Sequence, residues 1–350
     1  MLLYYIIHCI IYYYIAKIGY LSFFSTDLLF FIIIVLFVSL LVGQNPFLID
    51  STISSTIPQS ISNSIQIGDI NNDGYNDIIF SGYDSTRFGL FVDVLTGNSE
   101  GTLSINYQTN FPTYPDTIAE YLGGLGNISL VDVNLDGYID MYVNGSAKSK
   151  LLMNVSGNSF NESSMINNMS VTYSHGKWSD VNMDGKPDLF LMGVNEYSDN
   201  ILNELFINLG NNLDEDPSTI FPSLFTGSNS WGDYDNDGDP DLIILGQTAD
   251  PNSSVARLYQ NDPIGRLTEV TTASAIKGLK AGASHFADLD SDGDLDLIIT
   301  GWNKIEGRLI TLLLENEPLG TFSPFENMID FAVAYGTIDA IDYNLDGFQD

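Results

Sequence analysis

Two hydrophobic patterns run along this chain. The first is continuous: residues 2–16 are almost wholly apolar, and residues 28–42 (LLFFIIIVLFVSLLV) are apolar except for Ser39. The second is short and interrupted. From residue 60 onward, brief β-branched runs close on glycine: IIFSG, MYVNG, LFLMG, LIILG and LIITG. About a dozen residues after each comes another apolar run with an L-Y/F/L-x-N flavour, as in SKLLMNVSG, ELFINLG, RLYQND and TLLLENE. A weaker run around Phe or Leu follows (TFSPF, RLTEV). Short β-branched segments bounded by turn residues predict strands.

Each glycine-closed run is preceded by the same polar string, D-x-[DN]-x-D-G-x-x-D. Six copies occur. Loop 1 is DINNDGYND from Asp69, loop 2 DVNLDGYID from Asp132, and loop 3 DVNMDGKPD from Asp180. Loop 4 is DYDNDGDPD from Asp233, loop 5 DLDSDGDLD from Asp288, and loop 6 DYNLDGFQD from Asp342. A large apolar residue and a small one often precede the string, as in Trp178-Ser179, Trp231-Gly232 and Phe286-Ala287. The copies recur at roughly 54 residues, too long for one hairpin and right for four short strands. An all-β architecture of four-stranded propeller blades is therefore expected over residues 44–350.

The strings carry oxygen ligands at alternating positions. Positions 1, 3, 5 and 9 supply Asp69, Asn71, Asp73 and Asp77; Asp132, Asn134, Asp136 and Asp140; Asp180, Asn182, Asp184 and Asp188. The later loops supply Asp233, Asp235, Asp237 and Asp241; Asp288, Asp290, Asp292 and Asp296; Asp342, Asn344, Asp346 and Asp350. Glycine at position 6 permits a sharp turn, and the carbonyl at position 7 can add a ligand. Hard oxygen donors in this number suit Ca²⁺ better than Mg²⁺, which keeps its waters and demands octahedral geometry. No Cys or His stands at zinc-ligand spacing. A hairpin needs only one Asn/Asp-Gly pair, so acids at positions 1, 5 and 9 in every copy exceed what a turn requires. Without a cation those carboxylates would repel. Loops 4 and 5, with acids at all four positions, are expected to bind tightest. The EF-hand resemblance is partial: position 12 holds Phe80, Ile244 and Ile299 where that motif needs Glu, and strand patterns flank the string.

Composition narrows the partners. The chain has 45 acidic and 12 basic residues and a formal charge of −33. No basic stripe exists to meet phosphates, which excludes nucleic acid and disfavours anionic lipid. With 44% hydrophobic residues, 19 Tyr and 20 Phe, the chain has enough apolar surface to fold. The single cysteine, Cys9, lies in the N-terminal apolar segment, so the body has no disulfide and another staple is expected.

Residues 1–43 are read as a signal peptide or an uncleaved signal anchor. The second apolar run has the length of a signal h-region, and Gly43-Gln44 offers a cleavage neighbourhood. With Lys17 the only basic residue before position 87, the weak positive-inside signal leaves the bulk of the chain outside the cytosol. Sequons at Asn127, Asn144, Asn154, Asn161, Asn168 and Asn252 lend modest support to the secretory pathway. The protein is then secreted or membrane-anchored, meeting membrane only through an uncleaved N-terminal segment.

These strings and their flanks, above all WGDYDNDGDPDLIILG and FADLDSDGDLDLIITG, resemble the FG-GAP/VCBS repeats that form integrin-α-type β-propellers. The resemblance implies calcium cages between the first two strands of each blade, and roles in adhesion, in protein or glycan binding, or as modules attached to enzymes. The family usually closes a ring of seven. This sequence stops at Asp350, the ninth residue of loop 6, so an open or incompletely closed propeller is expected, with loop 6 disordered or empty.

No nucleophile elbow, zinc-protease, P-loop or dinucleotide motif is present, and His175 and His285 are read as strand or loop residues. A non-enzyme is expected: an extracellular or lumenal calcium-binding propeller for a protein or glycan ligand. The alternative is a non-catalytic propeller module of a secreted carbohydrate-active or other enzyme whose catalytic domain lies beyond residue 350.

Overall fold

The computed structural model describes residues 60–84, 89–100, 103–105, 127–144, 149–166, 171–195, 200–271, 275–317, 320–325, 332–334, 336–340, 342 and 349. The chain divides into two compact units, Met1–Ile57 and Pro58–Asp350. The first unit, with the N-terminal apolar segments, lies outside the described residues. So do most of loop 6, including Asn344, Asp346 and Asp350, and the sequon at Asn168.

The described residues hold strands and no helix, and none is long and apolar enough to cross a membrane as a helix. Five four-stranded antiparallel sheets follow one another along the chain. Sheet 1 comprises β1 (Ser60–Gly68), β2 (Asp77–Asp84), β3 (Gly89–Thr96) and β4 (Ser104–Ile105). Sheet 2 comprises β5 (Asn127–Val131), β6 (Asp140–Asn144), β7 (Lys150–Asn154) and β8 (Phe160–Glu162). Sheet 3 comprises β9 (Thr172–Ser179), β10 (Asp188–Asn195), β11 (Asn200–Asn208) and β12 (Leu213–Asp216). Sheet 4 comprises β13 (Phe225–Gly232), β14 (Asp241–Gln247), β15 (Ser254–Gln260) and β16 (Thr268–Glu269). Sheet 5 comprises β17 (Lys280–Ala287), β18 (Asp296–Asn303), β19 (Arg308–Glu317) and β20 (Thr321–Pro324). In each, neighbouring strands in sequence are neighbours in space, an up-and-down meander.

The continuous apolar runs have a direct explanation. They form the second strand of each sheet, buried on both faces. In β10, Leu189 and Leu191 join a core with Tyr142 and Leu151 of sheet 2, while Phe190 and Met192 join a core with Leu242 and Ile244 of sheet 4. The alternate residues of β14, Ile243 and Leu245, pack with Leu297 and Ile299 of sheet 5. A fourth core joins Ile79 and Val94 of sheet 1 to Ile128 and Met141 of sheet 2. Each sheet is thus held by its neighbours, as in other repeat architectures where no single unit can bury its own apolar face. The first strands of consecutive sheets also touch.

The sequons fare unequally. Asn144 is fully buried, and Asn154 is 3% exposed with its side chain in a hydrogen-bond network described below. Neither can carry a glycan in this fold, which removes two of the six supports for export. Asn161 and Asn252 are exposed.

Candidate metal centres

All five described loops sit where the repeat pattern places them, between the first and second strands of their sheets. Their shape is set by two left-handed residues. Glycine at position 6 has φ from 87° to 98° in the five loops. Position 4 is also left-handed, with φ of 57° at Asn72, 60° at Leu135, 56° at Met183, 59° at Asn236 and 64° at Ser291. Asn tolerates this region and serves a second purpose: Asn72 Nδ2 donates to the Gly137 carbonyl of the next loop at 2.7 Å. Leucine and methionine have no such compensation, and both are exposed. Leu135→Asn is expected to stabilise the protein by about 1 kcal/mol, read as a raised urea midpoint with an unchanged slope.

Backbone amides hold the first loops closed. In loops 1 to 4 the position-1 aspartate accepts from the amides of positions 5 and 6, at 2.8 to 3.1 Å. The position-5 aspartate accepts from the position-7 amide in all five. One oxygen of position 5 remains. In loops 1 and 2 it is taken by the position-3 asparagine: Asn71 Nδ2 donates to Asp73 Oδ2, and Asn134 Nδ2 to Asp136 Oδ2, each at 3.0 Å. In loop 3 it is taken by the Lys186 ammonium at 2.8 Å. That contact holds the Asp184 carboxyl below its usual range.

Loops 4 and 5 differ. Position 3 is Asp235 or Asp290 and offers no N–H. Oxygens of Asp233, Asp235 and Asp237 lie within 4.8 Å of one another, as do those of Asp288, Asp290 and Asp296. Asp235 Oδ2 is met by the Gln260 side-chain amide at 2.5 Å, but Asp235 Oδ1 and Asp288 Oδ1 are buried with no hydrogen-bond partner. A buried carboxylate oxygen without a donor is costly, and one placed beside two further carboxylates is what a hard cation would satisfy. The residues present therefore fit a divalent, oxygen-liganded ion, with Asp233, Asp235 and Asp237 holding it in loop 4 and Asp288, Asp290 and Asp296 in loop 5. The ion would supply the positive charge that the loop lacks.

Position 9 does more than close the site. Asp77, Asp140, Asp188, Asp241 and Asp296 are fully buried. In each, one oxygen accepts from the position-2 amide of its own loop. The other accepts from an amide at the end of the third strand or just beyond it, at Gly97, Asn154, Asn208, Asn261 or Asn316. The carboxylate thus knots the loop to two strands. Burial pushes these acids up, Asp140 and Asp188 to about 6 and Asp241 to about 8, against the lowering effect of the amide bonds.

Four of those strand-end residues are asparagines whose side chains reach the preceding sheet. Asn154 donates to the Ile70 carbonyl of loop 1, Asn208 to Val133 of loop 2, Asn261 to Val181 of loop 3, and Asn316 to Tyr234 of loop 4, at 2.6 to 2.9 Å. Every junction between described sheets carries this clasp. Sheet 1 has Gly97 at the matching position, where a Cβ would meet the Asn76 carbonyl oxygen at 2.2 Å.

His175 and His285 lie in β9 and β17, the first strands of their sheets. Desolvation first, and the Lys177 charge second, push His175 down to about 4. Desolvation lowers His285 as well.

A meander of four-stranded sheets, each with an acidic nine-residue turn between its first two strands, defines a class of tandem β-repeat proteins. Residues 180–244 and 233–299 match the FG-GAP-like repeat family. No curated protein matches the sequence. Among solved structures, the chain is similar to an Agrocybe aegerita lectin that recognises non-reducing terminal N-acetylglucosamine. The identity is 17% over 75% of this chain and 65% of the lectin, with a TM-score of 0.49. It is also similar to the V. cholerae biofilm matrix protein Bap1, at 14% identity over 76% of this chain and 39% of that one, TM-score 0.41. YjhT is a third, at 12% over 83% and 89%, TM-score 0.45. The chain thus spans less than two thirds of the lectin and of the matrix protein.

Proposed function

We propose that the protein is a calcium-stabilised, propeller-type scaffold that works outside the cytosol as a non-catalytic binding module for a protein or glycan. The observation that carries the calcium reading is the pair of carboxylate groups in loops 4 and 5, with buried oxygens that no protein donor meets. Calcium there does the work of the missing disulfides. At millimolar calcium a site of ~10⁻⁴ M affinity adds about 1.4 kcal/mol.

The reading has a pH signature. Asp140, Asp188 and Asp241 have folded-state pKa values above the ordinary 3.8. In chelator the folded state therefore binds more protons than the unfolded chain between about pH 4 and pH 8, and stability falls as pH rises through that window. Calcium in loop 4 favours the ionised form of the neighbouring Asp241, so its benefit grows in the same direction. Thermal melts should show a larger calcium-minus-chelator difference at pH 8 than at pH 5. An unchanged melt in excess chelator at pH 8 would sink the calcium reading. For the binding role, arrays of glycans and surface proteins probed with calcium present should reveal a ligand; a blank screen on folded protein overturns that half.

A further inference from the structure

Residue seven of the loops differs in charge sign. In loop 3 it is Lys186, whose ammonium sits 2.8 Å from Asp184 Oδ2. In loops 4 and 5 it is Asp239 and Asp294. Asp239 is 1% exposed, and neither of its carboxylate oxygens has a hydrogen-bond partner. It faces Asp237, Asp235 and Asp233. Asp294 lies against Asp292, and its Oδ1 is likewise buried and unmet. Burying a carboxylate among three others, with no donor, is unfavourable unless a cation joins the group.

We propose that residue seven decides which loops take a divalent cation: Asp239 and Asp294 each add a further carboxylate beside the three-carboxylate groups of loops 4 and 5, and Lys186 fills loop 3 with its own charge. The proposal rests on the cation-binding reading above and adds residues that reading does not use. An ammonium on Asp184 competes with an ion for the same oxygen, so loop 3 stays closed without metal. In loops 4 and 5 the extra carboxylate raises the negative charge facing the ion and so its affinity. The preference is for hard cations, Ca²⁺ or a lanthanide, because every donor is oxygen.

Calorimetric titration of chelator-stripped protein with CaCl₂ tests this, with circular dichroism confirming that each variant is folded. Lys186→Met should add one calcium site to the stoichiometry. Asp239→Asn and Asp294→Asn should each weaken one tight site at least tenfold. Terbium luminescence gives an independent readout at loop 4, where Tyr234 occupies position 2. Unchanged stoichiometry in Lys186→Met, or unchanged affinity in both aspartate variants, overturns the proposal while leaving the calcium reading intact. Wild-type protein that binds no calcium overturns both.

Discussion

Asp188→Ala is expected to destabilise the protein by roughly 2–6 kcal/mol, with or without calcium, because it strands two buried amide donors at about 1–3 kcal/mol each. The donors are Val181 N at 3.0 Å and Asn208 N at 2.7 Å. Both residues are fully buried, so water cannot replace the carboxylate. A domain's whole margin is about 5–15 kcal/mol, so the variant sits near the edge of folding. The contrast with position 1 makes the prediction specific. Asp180 accepts from Asp184 N and Gly185 N, but those bonds are exposed, and Asp180→Ala is expected to cost only about 1 kcal/mol. Denaturant melts in chelator separate the two. Equal losses at positions 1 and 9 would mean that the two buried amide bonds at position 9 contribute no more than the exposed pair at position 1.

That division was only half legible in the sequence. The six acidic strings, their spacing and the strands after them follow from composition that repeats, and the five described loops fall where those strings predict. Position 9 was readable as an aspartate in every copy, yet ligand and knot demand the same residue type. Only the burial of Asp188 between two amides tells them apart. The left-handed residue at position 4 left only a partial trace, because Asn72 and Asn236 suit it while Leu135 and Met183 are poor choices for it. Lys186, Asp239 and Asp294 were visible as charges, but their role depends on which oxygen of position 5 is still free, a matter of ångströms. The asparagine that ends L-x-N was seen as a recurring letter. Its purpose needed a second sheet, since its partner lies about 80 residues back in the chain.

Removing that asparagine should loosen the array at one seam. Asn261 Nδ2 donates to the Val181 carbonyl of loop 3 at 2.8 Å, while its backbone amide feeds Asp241. The side chain is 4% exposed. Asn261→Ala leaves a buried carbonyl without its donor and opens a small void, together about 2–4 kcal/mol. Asn261→Asp should cost at least as much, since a carboxylate would face the Val181 carbonyl. The loss is not spread evenly. In a nearest-neighbour architecture, stability is a sum of unit and interface contributions, and weakening one interface lets the two sides part before either unfolds. Sheets 3 and 4 share a core of Phe190, Met192, Leu242 and Ile244, which the clasp braces at its loop end. Hydrogen exchange should therefore show β13–β16 and β17–β20 losing protection ahead of β9–β12 in Asn261→Ala, whereas Asn208→Ala should shift that divide one sheet earlier. Uniform loss of protection across all sheets in both variants would mean that the clasps stabilise each sheet alone and do not couple neighbours.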